Sequence, residues 1–138
     1  MGNRSQAREL AFQFLFQLDL NHGDGLETID ALIAEQSDDA DVRAFAGELV
    51  RDAWARRAEV DAAVGKASAN WTVDRMSSVD RNIIRLASYE LLFRPDVPPA
   101  VAINEAVELA KRYSTEQSGG FVNGVLDRVR IDNPRHSS

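Results

Sequence analysis

An all-α fold follows from three observations on this 138-residue chain. Apolar residues recur at three- and four-residue steps through most of its length, no segment alternates convincingly at period two, and turn residues separate stretches of helical length. With 44% apolar and 28% charged residues the chain can bury a proper core, and its length fits one domain. The expected architecture is six or seven helices in two packed bundles sharing a core, one domain spanning the chain, with a disordered tail after about residue 131.

The first helix is predicted over Arg4–Leu20, with Ala7, Leu10, Ala11, Phe14, Leu15 and Leu18 on one broad face, and Asn21 to Gly25 as the break. Asp24 with Glu27 reads as the cap of a short second helix through about Glu35, followed by an acidic turn from Ser37 to Asp41. A long helical stretch then reaches about Ala67, with Phe45, Leu49, Ala53, Val60 and Val64 inward and with Gly47 and Gly65 as local weak points. Ala69 to Met76 is a connector with room for a short helical turn, anchored by Trp71. Ser77 and Asp80 cap a strongly apolar helix ending near Phe93, built on Ile83, Ile84, Leu86, Ala87, Leu91 and Leu92. Apolar residues around so much of its circumference predict a central helix, packed on more than one side.

Proline in a first turn lacks only an N–H that would have no intrahelical partner, so Pro98 and Pro99 start a helix that runs to Tyr113. Ser114 followed by Gln117 is a capping-box pattern, and Phe121, Val122, Val125, Leu126 and Val129 give the next helix its apolar face. Gly119 and Gly120 predict an exposed, compliant first turn. Gly124, inside the helix, predicts close approach by another backbone or by a bound partner, because an interior glycine costs roughly 1 kcal/mol relative to alanine.

Composition removes several classes of function. The chain has no cysteine, and its two histidines, His22 and His136, fall in a predicted turn and tail, so disulfides, thiolate–metal sites and thiol nucleophiles are excluded. There is no glycine-rich phosphate loop. Glu90, Glu105 and Glu108 lack a basic, metal-binding or nucleophilic partner at suitable spacing, and neither a catalytic residue nor a cofactor is expected. No run approaches the roughly 20 apolar residues of a membrane span, and the N-terminus lacks a signal-peptide layout, so the expected location is the cytoplasm.

The net charge of −6 is uneven: Asp19 to Asp61 carries −8 and the remainder +2. Fourteen of the sixteen basic residues are arginines, suited to bidentate phosphate contacts. Arg4, Arg8, Phe12 and Phe16, spaced by four, form a drifting stripe off the centre of the first helix's core face. Guanidinium groups beside surplus rings make a surface for single-stranded nucleic acid; a helix packed on two sides, with both phenylalanines in the core, accounts for the same spacing. Asn104 and Asn123 are expected chiefly as buried structural ties.

The block from Val79 to Val129, with VPPAVAINEAVELAK followed by FVNGVLD, resembles the C-terminal half of the bacterial transcription antitermination factors of the NusB family, and RSQARELAFQFLFQLDL is similar to that family's opening helix. The resemblance implies an all-α, non-enzymatic RNA-binding adaptor that pairs with NusE, a small-subunit ribosomal protein, on single-stranded boxA RNA of nascent ribosomal transcripts. Assembly with NusA, NusG and RNA polymerase would follow. By position it implies RNA contacts at Arg4, Arg8, Phe16, Gln117, Ser118 and Phe121, and a NusE-facing side at Asp74 and Asp80. Ser5 and Gln6 stand where family members often carry a denser arginine cluster, and Gly119 and Gly120 where they often carry basic or polar residues, which predicts weak RNA binding by the chain alone and useful affinity with NusE. Two further readings stand beside this: a protein-interaction module that masks its RNA surface in a homodimer, and a helical part of an RNA methyltransferase, for which the chain lacks the cysteine and cofactor domain.

Overall fold

The computed structural model describes residues 2–68 and 72–135. Among them are seven α-helices, two 3-10 turns and no strand, as the periodicity predicts. In order these are α1 (Asn3–Leu20), a 3-10 turn (Leu26–Thr28), α2 (Ile29–Gln36), α3 (Ala40–Ala55), α4 (Arg57–Ala67), a second 3-10 turn (Val73–Arg75), α5 (Ser78–Phe93), α6 (Pro99–Tyr113) and α7 (Glu116–Asp132). They fall into two compact units, Met1–Ala55 and Arg56–Ser138. The anchoring role expected of Trp71, and the end of the expected tail with His136, lie outside the described residues.

In the first unit α1 packs chiefly on α3, and α2 covers α3 as well. Ala7, Ala11 and Ala46 are fully buried, and such small side chains let the helices approach closely around Leu15, Leu18, Ile33 and Leu49. After α1 the chain turns through His22 at φ 54° and Gly23 at φ 89°. The Gly23 N–H bonds the Leu18 carbonyl at 2.8 Å and the His22 N–H bonds that of Asp19 at 3.4 Å, closing a Schellman motif that satisfies orphan carbonyls. A Cβ on Gly23 would stand 3.2 Å from the Trp54 ring.

Two expected features of this unit are corrected. Asp24 does not cap the second helix: Thr28 occupies the cap position of α2 and Gly25 that of the 3-10 turn before it, neither with a side-chain cap bond, and the Thr28 hydroxyl donates to the Gly25 carbonyl instead. The long helix reaching Ala67 is two helices, interrupted at Arg56 rather than at either glycine. The acidic turn has a defined task, since Asp39 Oδ1 accepts from the N–H groups of Asp41 at 2.9 Å and Val42 at 3.2 Å and so caps α3.

In the second unit α5 is central, packed against α4, α6 and α7, with Ile83, Ile84, Leu86 and Tyr89 buried. Its start follows the sequence: the Ser77 hydroxyl accepts from the Asp80 N–H at 3.1 Å. Asn82 is fully buried and donates to the Ser78 carbonyl at 2.8 Å. Arg85 forms a bidentate pair with Asp61 of α4, both contacts 2.8 Å. At the C-terminus of α5 the Arg135 guanidinium donates to the carbonyls of Glu90, Leu91, Arg94 and Val97, so the end of the described chain supplies the donors that this helix end lacks.

Four expectations about α6 and α7 change. Thr115, not Ser114, caps α7, and its hydroxyl accepts from the Ser118 N–H at 3.2 Å; Thr115 has extended backbone angles, whereas Ser114 ends α6. Asn104 and Asn123 are exposed rather than buried ties. Gly119 is buried rather than exposed, while Gly120 is open as expected. Gly124 has no atom of the described residues within 4 Å of a Cβ placed on it, so no other backbone among them approaches it.

Candidate nucleic-acid interface

The candidate residues are divided between the two compact units. On the first unit the start of α1 is built around Phe45 of α3. The Arg4 guanidinium carbon sits 4.2 Å from the centre of the Phe45 ring, and that of Arg8 sits 5.7 Å from it. The ring's negative face attracts both cations and fixes where they point. Their exposures differ. Arg4 is open to solvent, whereas Arg8 is only 3% exposed and belongs to the packed side of the helix. Burying an arginine requires partners for its charge, and Arg8 has them.

The two phenylalanines of the stripe also separate. Phe12 is buried at 4% exposure, and Phe16 is half-buried beside it with ring centres 6.3 Å apart at 53°. The two-sided helix therefore accounts for Phe12, while Phe16 sits at the edge with part of its ring accessible. Phe45 was legible only as a core position; its role as the platform for Arg4 and Arg8 depends on a contact some forty residues away, and no local spacing signals it.

On the second unit a polar network holds the start of α7 to the start of α5. Ser118 Oγ donates to Asp80 Oδ2 at 3.2 Å and lies 2.8 Å from Ser114 Oγ. With the Ser118 proton committed to the carboxylate, Ser114 is the donor in the second contact. The other oxygen, Asp80 Oδ1, is buried without a hydrogen-bond partner, an arrangement that costs free energy unless a donor arrives. Beside it a cavity of about 310 Å³ is lined by Arg75, Met76, Ser77, Asp80 and Phe121. Phe121 is half-buried there, Gln117 is exposed one turn earlier, and Asp74 is exposed on the preceding 3-10 turn.

Of the expected site residues, Ser118, Phe121 and Asp80 thus come together around this network and its cavity. No group of His, Asp or Glu side chains among the described residues is arranged to hold a metal ion. No helix of the described residues is long and apolar enough to cross a membrane.

Comparison with known proteins agrees with the all-α fold. The NusB family model matches residues 5–130. The transcription antitermination protein NusB of Desulforapulum autotrophicum is 47% identical over 133 residues, covering 95% of this chain and 93% of that protein. That of Sorangium cellulosum is 46% identical over 140 residues, covering 98% and 100%. Among solved structures, NusB of T. maritima superposes with a TM-score of 0.85 at 35% identity, covering 98% of this chain and 94% of that one. A structure of the antitermination factors NusB and NusE in complex with double-stranded RNA matches with a TM-score of 0.86 at 32% identity, covering 96% and 98%. The relatives are transcription factors rather than enzymes. By its sequence along nearly its whole length, and by the fold of seven helices, the chain belongs to the NusB family.

Proposed function

We infer that this chain is an RNA-binding adaptor of transcription antitermination, acting in the cytoplasm, that joins NusE on single-stranded boxA RNA of nascent ribosomal transcripts. The observation that supports the partnership with NusE and RNA is the likeness, at a TM-score of 0.86, to a factor solved together with NusE and double-stranded RNA; the single-stranded boxA target is what the family resemblance implies. The side chains support it. Arg4, exposed and oriented by Phe45, contacts phosphate, and Arg8 from its buried position holds the same ring. Phe16 and Phe121 offer ring surface to bases, and Gln117 and Ser118 supply polar contacts at the start of α7. Asp74 and Asp80 face NusE, whose donors would complete the unpaired Asp80 oxygen. The pair then recruits NusA, NusG and RNA polymerase.

A titration of labelled boxA-type RNA with the chain, with NusE and with both tests the reading. Weak binding by the chain alone and much tighter binding by the pair is expected. Equal affinity with and without NusE would contradict the division of labour, and loss of binding to single strands but not to duplexes would contradict the RNA class. Mass measurement in the same mixtures distinguishes an adaptor from a homodimer that survives both additions.

A further inference from the structure

Thirteen of the chain's fourteen arginines have at least one hydrogen-bond, ionic, ring or other electrostatic partner within it, from the Asp61 pair of Arg85 to the carbonyl cluster of Arg135. The Arg75 guanidinium alone has none among the described residues, although its backbone N–H bonds the Thr72 carbonyl at 3.0 Å. It stands exposed on the 3-10 turn Val73–Arg75, at the wall of the cavity it shares with Met76, Ser77, Asp80 and Phe121. A guanidinium without a partner among the described residues, lining one cavity with a half-buried ring and a methionine, supplies what holds one nucleotide of a flexible strand: charge for the phosphate and ring face for the base.

We propose that Arg75 is a phosphate-binding residue for single-stranded RNA, holding the backbone of a nucleotide whose base lies against Phe121. The inference rests on the RNA-binding reading above and adds a residue that the family resemblance did not supply. The polarity of the cavity places the phosphate within it. The Asp80 carboxylate, which lines the same cavity, repels a phosphate, so the phosphate sits at Arg75 and away from Asp80, which is left to NusE. The chain as a whole is acidic, at −6, so a guanidinium free of partners among the described residues has more effect on a local phosphate than its share of the net charge suggests.

The test is a set of RNA titrations across a salt series, with and without NusE, for the unaltered chain, Arg75→Ala, Arg75→Lys and Phe121→Leu, with NusE affinity measured separately. Arg75→Ala is expected to weaken RNA binding about tenfold at low salt. It should also lower the slope of log affinity against log salt by about 0.7, the value for one phosphate on a single strand. Arg75→Lys should restore the slope and only part of the affinity, because the point charge remains and the planar fork is lost. The double variant with Phe121→Leu should lose less than the sum of the single losses, since both groups hold one nucleotide. An unchanged slope in Arg75→Ala overturns the proposal, and if NusE affinity falls instead, Arg75 belongs to the protein-facing side with Asp74. Absence of RNA binding by the unaltered chain under every condition would remove the functional reading itself and this proposal with it.

Discussion

The start of α1 and the start of α7 present polar groups in opposite ways. At α1 the arginines are held by an aromatic ring that is itself core, so their positions are fixed by packing. At α7 the ends of two helices are joined by hydroxyls and one carboxylate, with Gly120 open beside them and Arg75 uncommitted nearby. The first region is preorganised, and the second retains unfilled hydrogen-bonding capacity. Binding to the first should therefore fail together with stability, and binding to the second should be separable from it.

Phe45→Ala gives the largest effect on this comparison. It empties a core position and removes the platform under both arginines, and a loss of about 3 kcal/mol in denaturant unfolding is expected, with RNA affinity falling in parallel. Phe45→Leu sharpens the result, because it keeps most of the apolar volume and deletes the ring face. Stability should fall by about 1 kcal/mol while RNA affinity falls nearly as far as in the alanine variant. If Phe45→Leu binds RNA normally, the ring does not orient Arg4.

Ser118→Ala addresses the other region. Its removal leaves Asp80 without a side-chain donor on either oxygen, for an expected loss of about 2 kcal/mol. Removing Asp80 as well should cost less than the sum of the single changes, because the orphaned carboxylate disappears with it. Additive losses in thermal or denaturant unfolding would mean that the Ser118–Asp80 bond does not couple the two helix starts.

The cap of α7 shows what the sequence made legible and where it stopped. Its existence, the proline start of α6 and the Ser77–Asp80 cap of α5 all depend on residues within one turn of each other, and such local chemistry can be read directly. The register of the α7 cap could not, since Ser114 and Thr115 both lie within reach and only the backbone angles select Thr115. Thr115→Ala should cost about 1 kcal/mol, with Gln117→Ala leaving stability nearly unchanged in the same unfolding measurement. Features set by distant residues were hidden altogether. The break at Arg56 carries no glycine or proline, and mid-helix Gly47 lies under the Asp30–Arg51 ion pair. The buried amide is Asn82 rather than Asn104 or Asn123, which depends on how α5 is surrounded. Arg75 was invisible as a candidate because its distinction is a guanidinium with no partner among the described residues.

Gly124 supplies the smallest effect and the cleanest separation of binding from stability. It lies inside α7, is exposed, and a Cβ placed on it would meet nothing within 4 Å, so alanine meets no steric resistance from the chain. Gly124→Ala should raise stability by about 0.5–1 kcal/mol through helix propensity and a less free unfolded state. A stability gain accompanied by weaker binding of RNA or NusE would mean that the bare helix surface serves a bound partner, which is the remaining half of the expectation that glycine raised. A gain with both affinities unchanged would leave Gly124 with no role in either interface. A loss of stability would require a close neighbour that the described residues do not contain. The contrast with Phe45→Ala is then complete in sign, because one substitution lowers stability and binding together and the other raises stability while testing binding alone.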